Sequence, residues 1–143
     1  MATVRHLLDA KPKALWTVEP DDPVLEVIQR MADHHVGALP VLRGEELVGI
    51  VSERDYARKV VLLGRSATET PVWQIMSAPV ITVTCDTALN DCLQLVTEHR
   101  VRHLPVLEAG RLIGMISIGD LVKAVIDEQQ HKIEDLERYI RSG

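Results

Sequence analysis

Leu39–Asp55, LPVLRGEELVGIVSERD, returns 65 positions later as Leu104–Asp120, LPVLEAGRLIGMISIGD. Sliding the chain along itself by that interval extends the match without a gap, so that Trp16–Val61 lies on Ile81–Ile126. Identities run along its length, and most other positions exchange one apolar residue for another. Further back, Val4–Leu8 (VRHLL) resembles Val72–Met76 (VWQIM) at a slightly different interval, so a short insertion or deletion separates the two beginnings. A self-match of this length is one supersecondary unit used twice. The unit is longer than a typical solenoid repeat, which predicts two half-domains packed on each other, 1–65 and 66–143, rather than an array.

Each copy reads as β-α-β-β-α. In the first, Val4–Leu8 is a short helical turn ended by Lys11-Pro12-Lys13, and Leu15–Val18 is a brief strand. Asp22 is placed to cap the next helix and Pro23 to occupy its first position. Val24, Val27, Ile28 and Met31 then recur at the spacing of one apolar helical face, and Gly37 is placed to stop the helix. Ala38–Leu42 and Leu47–Val51, joined by Arg43–Glu46, form a strand–turn–strand, with Pro40 confining the first strand to an edge or its start at that point. A second helix begins near Ser52 and carries Tyr56, Val60 and Val61 to Gly64. A polar connector, Leu63–Thr70, leads to the second copy: strand Val80–Val83, a helix bearing Leu89, Cys92, Leu93 and Val96, strands Leu104–Leu107 and Leu112–Ile116, then a helix from Ser117. That last helix runs to about Ile140. Val122, Val125, Ile126, Ile133, Leu136 and Ile140 give it a heptad-like stripe interrupted at Gln129 and Lys132, suited to packing on a partner subunit or on its own domain.

At 143 residues with 46% hydrophobic and 26% charged, the chain is a globular protein able to bury a real core. Phe is absent, so that core is built from Val, Ile, Leu and Met, and stacking platforms for single-stranded nucleic acid are lacking. A net charge of -5 opposes non-specific nucleic-acid binding. No apolar run has the length of a membrane span and no signal-peptide pattern opens the chain, so a cytoplasmic location without membrane or nucleic-acid partners is expected. Cys85 and Cys92 lack metal-type spacing and read as reduced, partly buried thiols.

The chemistry centres on Gly49-Ile-Val-Ser-Glu-Arg-Asp55 and Gly114-Met-Ile-Ser-Ile-Gly-Asp120. In both, Ser stands where a strand hands over to a helix and Asp follows one turn later. Ser-x-x-Asp is close to a capping box, in which the Ser side chain satisfies a free backbone donor. The same geometry suits a ligand: a carboxylate accepts two hydrogen bonds at once from the vicinal hydroxyls of a ribose, and free N–H groups at a helix start favour an anion. Duplication copies caps and sites alike, so the spacing leaves both readings open.

The two LPV…G-x-x-S-x-x-D blocks, set in two β-α-β-β-α units, resemble a tandem pair of CBS domains, a Bateman module, and the likeness covers Val4 to Ile126. SERDYARK, VRHLPV and SIGDLV are similar to stretches of small stand-alone bacterial two-CBS proteins. The resemblance implies an α+β fold of two CBS units related by pseudo-twofold symmetry, with an extended C-terminal helix, and an adenosyl ligand held in clefts between the units. It assigns the ribose hydroxyls to Asp55 and Asp120, ribose or phosphate to Ser52 and Ser117, and adenine to the backbone of Thr17-Val18 and Thr82-Val83. Residues just before each LPV line the pocket. These are Ala38 in the first copy, whereas Arg102 and His103 in the second are placed for phosphate, which a guanidinium fork recognises well. Arg100 stands nearby. On the second helix of the first copy, Arg54, Arg58 and Lys59 approach a phosphate from another side. Ser replaces the more usual Thr and keeps the hydroxyl. At least one well-formed site and a second weaker, differently occupied or empty one are expected.

No nucleophile elbow, phosphate-loop lysine or zinc-protease motif is present. His6, His34, His35, His99, His103 and His131 form no triad spacing, and His34-His35 at a helix end is a partner for the helix dipole rather than a metal site. The expected function is an adenine-nucleotide sensor (AMP, ADP, ATP or NAD, with S-adenosylmethionine behind), without metal or catalysis, acting as a homodimer or on a regulated protein partner. The alternative is a structural interaction module with vestigial sites.

Overall fold

A computed structural model describes residues 2–12 and 14–142. Helix α1 is Val4–Asp9 and α2 is Val24–His34; strands β1 (Ala38–Arg43) and β2 (Glu46–Ser52) follow. Helix α3 (Glu53–Tyr56) widens into a π turn over Ala57–Val61, and Val72–Gln74 is a 3-10 turn. The second half holds α4 (Leu89–His99), β3 (His103–Glu108), β4 (Arg111–Ser117) and the long α5 (Ile118–Ser142). The class is α+β: β1 pairs with β2 antiparallel, Ala38 opposite Ser52 and Val41 opposite Gly49, and β3 pairs with β4 in a second sheet of two strands. The brief strands expected at Leu15–Val18 and Val80–Val83 each shrink to one parallel bridge, Val18 to Val41 and Val83 to Val106.

The chain condenses into two compact units that cross the sequence repeat at 65/66. One comprises 14–81 with 109–113; the other comprises 1–13, 82–108 and 114–143. The reason lies in the two short segments that open the copies, because each satisfies the backbone of the other copy's elements. Val24 N–H donates to Thr70 O and Leu25 N–H to Ala67 O, while Leu89 N–H donates to Ala2 O. Val72 N–H reaches Asp22 O and Trp73 N–H reaches Pro20 O; in the other unit Val4 N–H reaches Thr87 O and Arg5 N–H reaches Cys85 O. Met76 closes on Gly49, and Leu8 closes on Gly114, where an added Cβ would stand 2.6 Å from its Cδ2. The weak likeness of VRHLL to VWQIM is thus a likeness of role.

These bonds also revise the expected caps. Helix α2 has no side-chain cap, and Pro23 is the residue before its first turn. Its free donors are met by Thr70 and Ala67, leaving Asp22 to accept from Glu19 N–H (2.9 Å) and to face Arg30 (3.6 Å). Helix α2 stops at His35 (φ 55°), two residues before Gly37, and α4 stops likewise at Arg100 (φ 53°). At the first stop Val36 N–H returns to Met31 O at 3.0 Å, offsetting the cost of a left-handed residue with a side chain. Pro40 lies inside β1 opposite Ile50, and its carbonyl accepts from Val18 N–H. The break expected at Lys11-Pro12-Lys13 ends on Lys13, outside the described residues.

In the unit of 14–81, Val24, Val27 and Met31 of α2 pack with Leu39, Val41, Val51 and Val60, and Ile28 is half-buried. Val61, expected on the same face as Val60, is exposed, since the π turn rotates it away. In the other unit Leu89, Cys92 and Val96 of α4 are buried, as are Leu104, Val106, Ile116 and Leu121. Each such side chain contributes about 1.5–3 kcal/mol by leaving water. Beyond Leu121 the apolar residues of α5 at Val122, Ile126, Ile133, Leu136 and Ile140 are exposed.

Candidate functional site

The end of each hairpin becomes a strand-to-helix corner. In the unit of 14–81, Glu53 N–H donates to Gly37 O, joining the second residue before LPV to the start of α3. Ser52 caps that helix: Asp55 N–H donates to Ser52 Oγ at 3.2 Å, and Ser52 N–H returns to Asp55 Oδ2 at 2.9 Å. Ser52 Oγ also donates to Oδ2 (3.0 Å), Ser77 Oγ approaches Oδ1 at 3.5 Å, and Lys59 Nζ stands 3.1 Å from Oδ1. Both carboxylate oxygens are therefore engaged, and Asp55 is buried at 9% exposure. Lys59 is fixed at its far side by Ile75 O (2.9 Å). Ala38 is buried beside Ser52, while Arg54 and Arg58 point to solvent.

The corner of the other unit has the same frame and a different lining. Ile118 N–H donates to Arg102 O, Asp120 N–H to Ser117 Oγ (3.2 Å), and Ser117 N–H to Asp120 Oδ2 (2.8 Å). Lys11 Nζ donates to the same Oδ2 at 2.7 Å and to Met115 O at 2.8 Å. Oδ1 receives no hydrogen bond from a described residue, and the side chain is 23% exposed. Arg102 is exposed and His103 half-buried. Asp120 and Ser117 thus retain acceptor capacity beside Lys11, and His103 lies close enough to feel the charges of Lys11, Asp120 and Arg102, a set of groups able to donate to hydroxyl and phosphate oxygens.

Burial alone would raise the Asp120 carboxyl, but the Lys11 ammonium and the Ser117 N–H prevail and hold it below the usual carboxylate range. Burial, then the positive charges of Lys11 and Arg102, lower His103 despite the opposing pull of Asp120, so the imidazole is neutral at neutral pH. A carboxylate depressed in the folded state contributes stability that is full above its unfolded value and is lost as pH falls through the folded one. The urea midpoint of the wild type should therefore fall below about pH 4. In Lys11→Met this acid limb should be shallower. Equal limbs in parallel urea titrations would remove Lys11 as the group that holds Asp120 ionised.

Thr17 and Thr82 are half-buried. The backbones of their neighbours are used within each unit: Val18 bonds Pro40 O and Leu42 N–H, and Val83 bonds Pro105 O and Leu107 N–H. Sequence reading missed Lys11. The signal was available by subtraction: Asp55 has a lysine four residues on, whereas Asp120 has Ala124 there, so its counter-charge must come from elsewhere. His34 stacks on Trp16 with ring centroids 4.0 Å apart. Among the described residues no cluster of His, Cys, Asp or Glu is grouped to hold a metal ion. Cys85 and Cys92 are both buried and free, and burial followed by the Asp91 charge raises the Cys92 thiol.

Two duplicated strand-to-helix corners, each with a Ser-x-x-Asp cap following a short hairpin, define a module built from one unit used twice. The chain belongs to the CBS-domain family, whose model matches residues 4–62 and again 72–127. It is 40% identical over 151 residues to the mitochondrial CBS domain-containing protein CBSX3 of Arabidopsis thaliana, covering 99% of this chain and 73% of that one. It is 34% identical over 113 residues to YhcV of Bacillus subtilis, covering 79% and 80%. A solved structure of a protein from Burkholderia ambifaria, described as a signal-transduction protein with CBS domains, superposes with a TM-score of 0.86 at 51% identity, covering 90% of this chain and 96% of its own. No helix among the described residues is long and apolar enough to cross a membrane.

Proposed function

We propose that this protein is a regulatory sensor of adenine nucleotides (AMP, ADP, ATP or NAD), without catalysis of its own, in which the Asp120 corner is the working site. The observation that carries this is the state of the Asp120 carboxylate: one oxygen is held by Ser117 N–H and Lys11, while the other is open to a ribose hydroxyl. Lys11, Arg102 and His103 supply donors for phosphate, and Thr82, next to the Val83–Val106 bridge, is the residue we assign to the adenine side. Asp55, with both oxygens engaged, serves the fold first, and its corner with Thr17, Ala38, Ser52 and Arg54 is the weaker or empty site. A ligand that prefers one arrangement of the protein shifts its population by that difference in affinity, and the change is passed to a second copy in a homodimer or to a regulated partner. Reduced, buried thiols support a cytoplasmic setting, and the net charge of -5 supports the absence of nucleic acid.

The test is a thermal-shift panel of adenosine, AMP, ADP, ATP, NAD, NADH and S-adenosylmethionine on nucleotide-free, folded protein. A ligand at one hundred times its dissociation constant stabilises by about 2.7 kcal/mol, several degrees at this chain length. A flat panel would defeat the sensor and leave the structural interaction module, which the engaged Asp55 carboxylate already favours for that corner.

A further inference from the structure

Helix α5 has two faces with different fates. Leu121 is buried in its own unit, Val125 is partly covered, and Glu128 accepts from Ala2 N–H at 3.0 Å. From Gln129 onward every described residue except Glu134 is exposed. On the second face Val122, Ile126, Ile133, Leu136 and Ile140 stand 51%, 59%, 51%, 60% and 68% exposed. With Gln129 included, these positions alternate steps of four and three, the seam of a coiled coil. Ile126, Ile133 and Ile140 take the a positions, and Val122, Gln129 and Leu136 take the d positions. Among parallel coiled coils, β-branched residues at a with leucine at d favour two strands, a pattern met here by the three isoleucines at a and by Leu136 at d.

The charges agree with that arrangement. Every outward position from Asp127 to Arg141 is charged or histidine: Asp127, Glu128, His131, Glu134, Asp135, Arg138 and Arg141. The close polar contacts made within the tail, His131 to Glu134 and the ion pair of Arg138 with Asp135 (both 3.9 Å), lie on this outer surface. Lys132 and Glu137 take no part in them. They flank the seam at g and e, five residues apart, which is the separation at which a g residue meets the e residue of a parallel partner. Lysine meets glutamate only if the partner carries the same sequence in the same direction; an antiparallel pair sets g against g and e against e.

We infer that α5 is the interface with a second copy of this chain, joined in parallel and in register from Val122 to Ile140 as a short two-stranded coiled coil. Such pairing is isologous, bringing Gln129 against its own copy. A paired α5 presupposes the homodimer proposed above and names its surface; it is independent of any ligand.

The full-length protein tests this by sedimentation equilibrium and by oxidative trapping of Gln129→Cys, with Cys85 and Cys92 both buried. The expected result is a dimer in which Gln129→Cys forms a covalent pair, and in which Leu136→Asp abolishes trapping and raises the dimer dissociation constant by about tenfold or more. Lys132→Glu and Glu137→Lys should each weaken the dimer, and the double exchange should restore it. Because these side chains are exposed in the single chain, thermal melting at monomer concentrations should show each variant folded. A monomeric wild type overturns the homodimer and this interface together. A dimer indifferent to Leu136→Asp overturns the interface alone. A dimer lost in Leu136→Asp but never trapped at position 129 overturns the parallel register.

Discussion

Asp120→Asn is expected to weaken adenosine binding by about 30- to 100-fold while leaving the protein folded. A hydrogen bond to a charged acceptor contributes about 1.5–3 kcal/mol and a neutral one about 0.5–1.5 kcal/mol. Two ribose hydroxyls meeting an amide in place of a carboxylate therefore lose about 2–2.7 kcal/mol, which sets the fold-change. The amide oxygen can still accept from Ser117 N–H, the bond of 2.8 Å that ties the helix start to the strand end. The variant also takes away the negative charge that Lys11 pairs with at 2.7 Å. That ammonium is then left without a neutralising partner and is more available to a phosphate, so AMP and ATP should lose less affinity than adenosine does. Lys11→Met should show the reverse order, with phosphate-bearing ligands falling toward adenosine. Calorimetric titration of adenosine and AMP into both variants separates the two roles. Unchanged adenosine affinity in Asp120→Asn would sink the assignment of ribose to this carboxylate.

That contrast is built from a residue the repeat pattern could not reveal. Matching the copies position by position identifies Ser52 with Ser117, Asp55 with Asp120, and Gly37-Ala38 with Arg102-His103, and the structure places all of these at the two corners. The hairpins, the apolar faces of α2 and α4, and the extent of α5 were legible because burial repeats with the period of the backbone. What escaped was set by partners distant in sequence. Lys11 meets Asp120 across more than a hundred residues, and Thr70 displaces Asp22 as the partner of the α2 amides. His35 and Arg100 hold the left-handed stops in the two copies, a role for which sequence preference points to glycine. The first strands failed to extend because each has one neighbour only, contacted through a single residue.

Asp55→Ala should produce the larger loss of stability, about 2–3 kcal/mol, and a fall in melting temperature of roughly 10 °C. The ion pair with Lys59 is a minor part of this, since the lysine is 40% exposed and water screens it. The cost arises at Ser52, whose N–H and hydroxyl both donate to the buried carboxylate. Deleting the acceptor leaves the N–H of a strand end unpaired, at about 1–3 kcal/mol, and dissolves one half of the capping box. Ser52 Oγ still receives the amide of residue 55, so α3 keeps its first turn. Asp55→Asn preserves an acceptor for Ser52 N–H and should recover most of the loss. Asp120→Ala should cost less than Asp55→Ala, because the Asp120 side chain is the more exposed of the two and its hydrogen bonds fall on one oxygen. Urea denaturation of the four proteins, wild type included, decides the order. If Asp120→Ala proved the more destabilising, the division of labour between a structural and a binding corner would be reversed.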